Sequence, residues 1–271
     1  MENKNMFYYT NTEKNDDIKL TKGPFNKQII VFLIGWLGIN VIAYLVSFIT
    51  SLFIKIPNPE IDKEAYNLVI SKITGPMQFI TYFITLVALL SVLGLPLLKR
   101  IFKDFTKLEK IGKGIVYGFV IIGVSMFYGM IAQKLFPNLT DNENEQADTS
   151  MINSYPVLSA ILSIIFAPIC EEITYRFGLF GLGNRKSKYL GFFLSSVVFA
   201  LIHANFFVDS VEKLLIELVN LPIYMLSGFI LSYAFYKEES LVTSMTAHAV
   251  NNLIAFCSSL LIPAGVALHV F

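Results

Sequence analysis

The sequence predicts an all-α protein: a polytopic bundle of seven transmembrane helices, or eight under two conditions given below. Two observations carry that prediction. Of the 271 residues, 55% are hydrophobic and only 15% are charged, against about 45–50% and about 25% in soluble domains. The apolar excess is gathered into uninterrupted runs, each long enough to cross about 30 Å of hydrocarbon.

Taken in chain order, residues 1–27 read as a polar, partly disordered cytoplasmic tail, and 28–271 as a single transmembrane domain. The first apolar run, 28–54, is too long for the core of a signal peptide. It has no small-residue cleavage site after it, so it reads as a retained span. Further spans are expected at 75–98, 114–136, 157–180, 189–207, 214–236 and 241–262. An eighth would arise if the sixth run broke at Pro222, or if the tail "PAGVALHVF" re-entered the membrane.

Charge sets the orientation. The stretch "KRIFKDFTKLEKIGK" (99–113) holds six Lys or Arg and should be cytoplasmic. By contrast, "PNLTDNENEQADTSMINSYP" (137–156) has no Lys or Arg and four acids, and should face outward. The N-terminus is then cytoplasmic, and with seven spans the C-terminus lies outside. The net charge of +1 says nothing about partners, because the charges are segregated along the chain. Cys170 and Cys257 both sit in apolar runs, so they form no disulfide framework and read as packing residues. Gly114 and Gly118 have the spacing that allows close helix approach, with packing inside this chain favoured over dimerisation. There is no internal repeat and no separate soluble domain.

Ionisable side chains inside spans are costly, so each one is a candidate functional residue. "PICEEITYRFGLF" supplies Glu171, Glu172 and Arg176 on the fourth span, "FALIHANFF" supplies Phe199 and His203 on the fifth, and "TAHAVNNLIAF" supplies His248 and Asn252 on the seventh. His269, in the tail, reads as incidental. Glu172 and Arg176 are four apart with the acid first, the better order for a helical ion pair. Glu171 points about 100° away and has no local partner. A carboxylate so placed in a poorly hydrated cavity suits a general base. Phe199 and His203 share a face, as do His248 and Asn252. Glu217, four residues after Lys213 near a span end, reads as half of a superficial ion pair. The bland alternative for the whole set is an interhelical polar network that only holds the bundle together.

These residues form the ordered series "EEITYR", "FALIH" and "HAVNN", each on its own hydrophobic span. That series resembles the CPBP intramembrane proteases, the group of CAAX-processing and bacteriocin-processing (Abi) enzymes treated as glutamic or metalloproteases. The motifs cover the C-terminal half, with a catalytic core of about 157–262. The resemblance implies a helical bundle with a polar intramembrane cavity and an intramembrane endopeptidase. It also implies roles. Glu171 would activate water, assisted by His203; His248 and Asn252 would stabilise the oxyanion; Glu172, Arg176 and Phe199 would be supporting residues.

The cofactor is open at this stage. The favoured mechanism needs none, while a divalent metal such as zinc would use Glu171, His203 and His248. Expected partners are the lipid bilayer and a peptide or membrane-protein substrate, with no nucleic acid and no oligomeric state assigned. The expected location is a bacterial plasma membrane, and a small secreted peptide such as a pheromone or bacteriocin precursor is favoured as substrate over a prenylated protein. The competing reading is a non-catalytic scaffold or immunity protein that regulates a partner such as a sensor kinase. A proton-coupled transporter is disfavoured, since no inverted repeat is evident.

Overall fold

The computed structural model describes residues 19–136 and 142–261. Most of the N-terminal tail, the C-terminal "PAGVALHVF" with His269, and a short stretch of the outer connection lie outside the described residues. Among the described residues the chain is entirely helical, with no strand. Eight helices position the site: α1 (Phe25–Phe53), α2 (Lys63–Phe105), α3 (Leu108–Leu135), α4 (Glu143–Ser154), α5 (Pro156–Asn184), α6 (Lys188–Leu201), α7 (Val211–Glu238) and α8 (Leu241–Leu261). The chain is a multi-pass membrane protein.

Five of these helices (α1, α2, α3, α5 and α7) are long and apolar enough to cross a membrane. The two other expected spans differ from that pattern for visible reasons. α6 has 14 residues, about 21 Å of helix, which is short of the hydrocarbon thickness. α8 has 21 residues but carries Thr243, Ser244, Thr246, His248, Asn251 and Asn252. The count of seven or eight spans is therefore not reproduced as such. One condition for an eighth is removed, because α7 runs unbroken through Pro222. A membrane helix tolerates an internal proline where neighbours satisfy the freed carbonyl.

Helix starts follow local chemistry. Asp62 caps α2 by accepting from Ala65 N at 2.9 Å, and Asn142 caps α4 through Glu145 N at 2.9 Å. Ser187 caps α6 through Leu190 N at 3.1 Å, and Ser210 caps α7 through Lys213 N at 3.2 Å. These side chains take donors that the first turn leaves unpaired. α2 bends at Gly94, where φ is 68° and ψ is 169°, a conformation that favours glycine. The carbonyl of Leu93 beside the bend accepts from Lys27 Nζ, so the break in the helix is repaired by α1.

In lipid, helices associate through close packing rather than through an apolar driving force. α3 and α8 use that rule. A Cβ on Gly114 would lie 2.6 Å from Thr246 Cβ, and one on Gly118 would lie 2.8 Å from Val250 Cβ. The glycine pair thus packs inside this chain, as its spacing predicts. These contacts seat α3 closely against α8, the helix that carries His248 and Asn252.

The core centres on the second half of α5, where residues 172–180 are all buried. Val31 of α1, Leu89 and Leu93 of α2, Phe177 and Phe180 of α5, Phe235 of α7 and Met245 of α8 share one apolar cluster. At the basic end, Lys110 and Lys113 both reach Glu238 Oε2, at 3.1 and 2.8 Å, and tie α3 to the end of α7.

Candidate active site

The first motif sits where α5 changes its hydrogen bonding. Residues Glu172–Phe180 are π-helical, with i→i+5 bonds of a kind frequent at functional sites. Glu172 Oε2 lies 3.1 Å from Arg176 Nε, and neither side chain is exposed. The expected ion pair is present and fully buried. The Arg176 guanidinium lies 4.4 Å from the centre of the Phe199 ring, a cation–π contact that compensates part of its desolvation.

The other Glu172 oxygen reaches a second helix. Glu172 Oε1 lies 3.0 Å from His248 Nδ1. A carboxylate oxygen accepts and Nδ1 donates, so this bond fixes the tautomer and aims Nε2 the opposite way. His248 Nε2 lies 3.9 Å from Glu171 Oε2. His248 thus stands between the two adjacent glutamates. Glu171 is the more accessible of the pair, and its Oε2 has no hydrogen-bond partner among the described residues.

His203 falls two residues past the end of α6, not inside a helix running to 207 as the sequence suggested. The chain leaves the helix through a tight turn in which His203 N donates to Ala200 O at 3.0 Å. The imidazole then turns back. Its Nδ1 donates to Phe199 O at 2.7 Å, which leaves Nε2 as an acceptor. The ring stacks on Tyr224 of α7 at 4.7 Å and 20°, and meets the Phe199 ring at 4.6 Å. Phe199 also meets His248 at 5.9 Å. One phenyl ring therefore touches Arg176, His203 and His248, a residue of each motif. No hydrogen bond or ion pair joins His203 to Glu171 or His248 among the described residues; their link is this ring.

Asn252 faces α5. Its Nδ2 donates to Ser163 O at 2.8 Å, and its Oδ1 accepts from Asn251 Nδ2 at 3.3 Å. An amide nitrogen has two hydrogens, so one remains for another acceptor.

The outer connection corrects one reading. Glu217 is buried and does not pair with Lys213, whose Nζ lies 2.9 Å from Asp209 and 3.9 Å from Glu143. Instead, Glu217 accepts from Glu143 N at 2.9 Å and from Asn205 N at 3.1 Å. The helical spacing to Lys213 misled, because two backbone donors satisfy a buried carboxylate better than one flexible ammonium. Asn142 Nδ2 adds a bond to Tyr224 Oη at 3.2 Å. Glu217 and Tyr224 therefore clamp α4 and the segment after His203 onto α7. Neither residue was singled out for the site from sequence, although an acid in an apolar run was the available signal. α4 also carries Asp148, whose carboxyl is pushed up to about 6 by the surrounding protein first and then by the charge of Glu171.

Among the described residues, no three His, Cys, Asp or Glu side chains converge closely enough to hold a metal ion. Glu171 and His248 face each other, while His203 Nε2 belongs to a ring packed between Phe199 and Tyr224.

Residues 153–254 match the family of type II CAAX prenyl endopeptidase Rce1-like proteins. That span contains all three motifs, and the resemblance read from them stands. An uncharacterised protein of Mycoplasma capricolum is 28% identical over 204 residues, 71% of this chain and 55% of its own length. The candidate membrane peptidase YdiL of Bacillus subtilis is 26% identical over 149 residues, 53% of this chain and 56% of its own. The protein YxdF of Lactococcus lactis is 31% identical over 112 residues, 40% of this chain and 55% of its own. The chain spans about half the length of the curated relatives it matches. No solved structure matches it.

Proposed function

We propose that the chain, with its Rce1-like segment at 153–254, is an intramembrane endopeptidase in which Glu171 activates water. The observation that carries this reading is His248, held by Glu172 at 3.0 Å on one side and facing Glu171 at 3.9 Å on the other. A merely structural network would satisfy both acids. Here Glu172 has both oxygens close to a nitrogen, Arg176 Nε at 3.1 Å and His248 Nδ1 at 3.0 Å, while among the described residues Glu171 meets only His248 Nε2, at 3.9 Å.

In the proposed reaction, Glu171 takes a proton from water as the water oxygen bonds to the scissile carbonyl carbon. The electrons of the C=O bond move onto oxygen. His203 Nε2, an acceptor because Nδ1 is committed to Phe199 O, receives the second water hydrogen as a hydrogen bond and orients the attack. The remaining Asn252 N–H donates to the oxyanion. His248 Nε2 donates as well when the ring is imidazolium, with Glu172 and Glu171 as counter-charges. Collapse of the intermediate breaks the C–N bond, and the proton on Glu171 passes to the leaving amine. A single oxyanion donor in such a site is worth roughly 3–4 kcal/mol of barrier. No metal enters this scheme.

We place the protein in a bacterial plasma membrane with its N-terminus cytoplasmic, a reading supported by the basic residues at the α2–α3 and α5–α6 junctions. The substrate class we favour is a small secreted peptide or membrane-anchored precursor. The test compares peptides released by cells carrying the wild-type protein, Glu171→Gln or no protein. A product seen only with the wild-type supports proteolysis. Full product with a stably inserted Glu171→Gln protein would end this reading in favour of a scaffold.

A further inference from the structure

At the basic end of the bundle, a cavity of about 490 Å3 opens between the segment before α1, the start of α6 and the end of α7. Lys19, Lys22, Lys188 and Lys237 line it, with Glu239 as its single acid. That acid is already engaged: Glu239 accepts from Thr21 N at 3.1 Å and from the Thr21 hydroxyl. None of the four lysines is ion-paired with a carboxylate among the described residues. Lys188 Nζ lies 5.2 Å from the Tyr189 ring. Elsewhere on the same face, Lys107 is taken by Asp104, and both Lys110 and Lys113 by Glu238. Four like charges around one concavity repel each other and call for an anion.

The walls are built rather than loose. Thr21 is buried, and Asn184 Nδ2 donates to its carbonyl at 3.1 Å. Arg185 Nε bonds Gln28 Oε1 at 3.0 Å, and its guanidinium also bonds Gly23 O. The positive end of the 14-residue α6 opens at Lys188, which adds a favourable field for an anion. Exposed Tyr189 and Phe193 continue from this rim along the apolar flank of α6, and Phe25 does so on α1.

We infer that this cavity binds the phosphate of an anionic phospholipid headgroup, with the acyl chains lying along α6 and α1. Lysine ammonium groups serve a phosphodiester as point charges without needing bidentate geometry. Juxtamembrane lysines of this kind each add substantially to anionic-lipid binding. The apolar flank next to the rim favours a lipid over a soluble phosphate. The site is distinct from the glutamate–histidine centre and does not rest on its activity.

The test uses the purified full chain in neutral detergent. Binding is counted by native mass spectrometry, and Tm is read with added dioleoylphosphatidylglycerol, dioleoylphosphatidylcholine, inorganic phosphate or glycerol 1-phosphate. Two double variants, Lys19→Gln/Lys22→Gln and Lys188→Gln/Lys237→Gln, are compared with Lys99→Gln/Lys103→Gln on the same membrane face. The expected result is a Tm rise with phosphatidylglycerol only. Each cavity variant should bind it at least about tenfold more weakly, and the control should bind it as the wild-type does. Equal losses in all three variants would make the effect a general surface charge and overturn the site. A full Tm rise with inorganic phosphate or glycerol 1-phosphate would overturn the lipid assignment.

Discussion

Glu172 holds His248: its Oε1 lies 3.0 Å from Nδ1 while its Oε2 lies 3.1 Å from Arg176 Nε. One buried carboxylate thus links α5 to α8 and sets which nitrogen of His248 faces Glu171. The two adjacent glutamates consequently carry opposite burdens. Glu172 is held by both Arg176 and His248, whereas Glu171 stands 3.9 Å from His248 and is the acid that the proposed reaction uses.

Glu171→Gln should abolish peptide release, by at least about 10³-fold, because an amide cannot take the proton from water. Thermal stability in detergent should not be lowered. Glu172→Gln should behave differently. It leaves the buried Arg176 uncompensated, at a cost of about 3–5 kcal/mol, and frees His248. A lowered Tm together with lowered activity is expected; Tm values equal to wild-type in both variants would refute the division of roles.

Asn252→Ala should lower kcat by about 10²–10³-fold with little change in KM, as expected for a lost oxyanion donor. Asn251→Ala, which removes only a 3.3 Å bond to the Asn252 amide oxygen, should cost about tenfold or less. Steady-state kinetics on one synthetic peptide separates the two. Equal losses would assign Asn252 to packing.

Gly118→Ala tests whether the α3–α8 contact positions the site. The added Cβ would meet Val250 Cβ at 2.8 Å, so α8 must shift, at about 1–3 kcal/mol. Gly123→Ala on the same helix meets nothing within 4 Å and should be neutral or stabilising. Activity should fall in the first variant and persist in the second. Identical behaviour would mean that α3 does not set the position of His248.

Much of this was legible in the sequence, and the failures have physical causes. Apolar runs marked the helices because the hydrocarbon core demands them. The Glu172–Arg176 pair followed from i,i+4 spacing, and survives even though the local helix is π. What spacing could not show was anything set by tertiary partners. The end of α6 before His203 depends on Phe199 O capturing the imidazole. The role of Glu217 depends on backbone donors from α4 and from the segment after His203, far away in the chain. The π segment itself has no signature in residue spacing.

Glu217→Ala should cost about 1–3 kcal/mol, since it strands two partly buried backbone N–H groups, of Glu143 and Asn205. Lys213→Gln should stay within about 0.5 kcal/mol, because its partners Asp209 and Glu143 are exposed or half-buried. Denaturation in mixed micelles reads both. A Lys213→Gln loss matching that of Glu217→Ala would restore the superficial ion pair. Hydrogen exchange should also rise in α4 with Glu217→Ala alone.

Asp148 makes a pH-dependent prediction whose sign can be worked through. Its side chain reaches solvent, yet the surrounding protein and the Glu171 charge raise it from an ordinary value of 3.8 to about 6. Between those values the folded chain keeps a proton that the unfolded chain has lost. Stability therefore falls as pH rises through this window, and the penalty is complete above about 6. Asp148→Asn carries no charge at any pH. It should be more stable than the wild-type at pH 7.5, with the difference shrinking steadily below pH 6 and vanishing near pH 4. Because the effect acts partly through Glu171, it should also be smaller in the Glu171→Gln background, where that charge is gone. Tm measured for the four proteins across pH 4–8 checks both statements. A pH-independent difference between wild-type and Asp148→Asn would show that the α4 carboxylate does not sense the site.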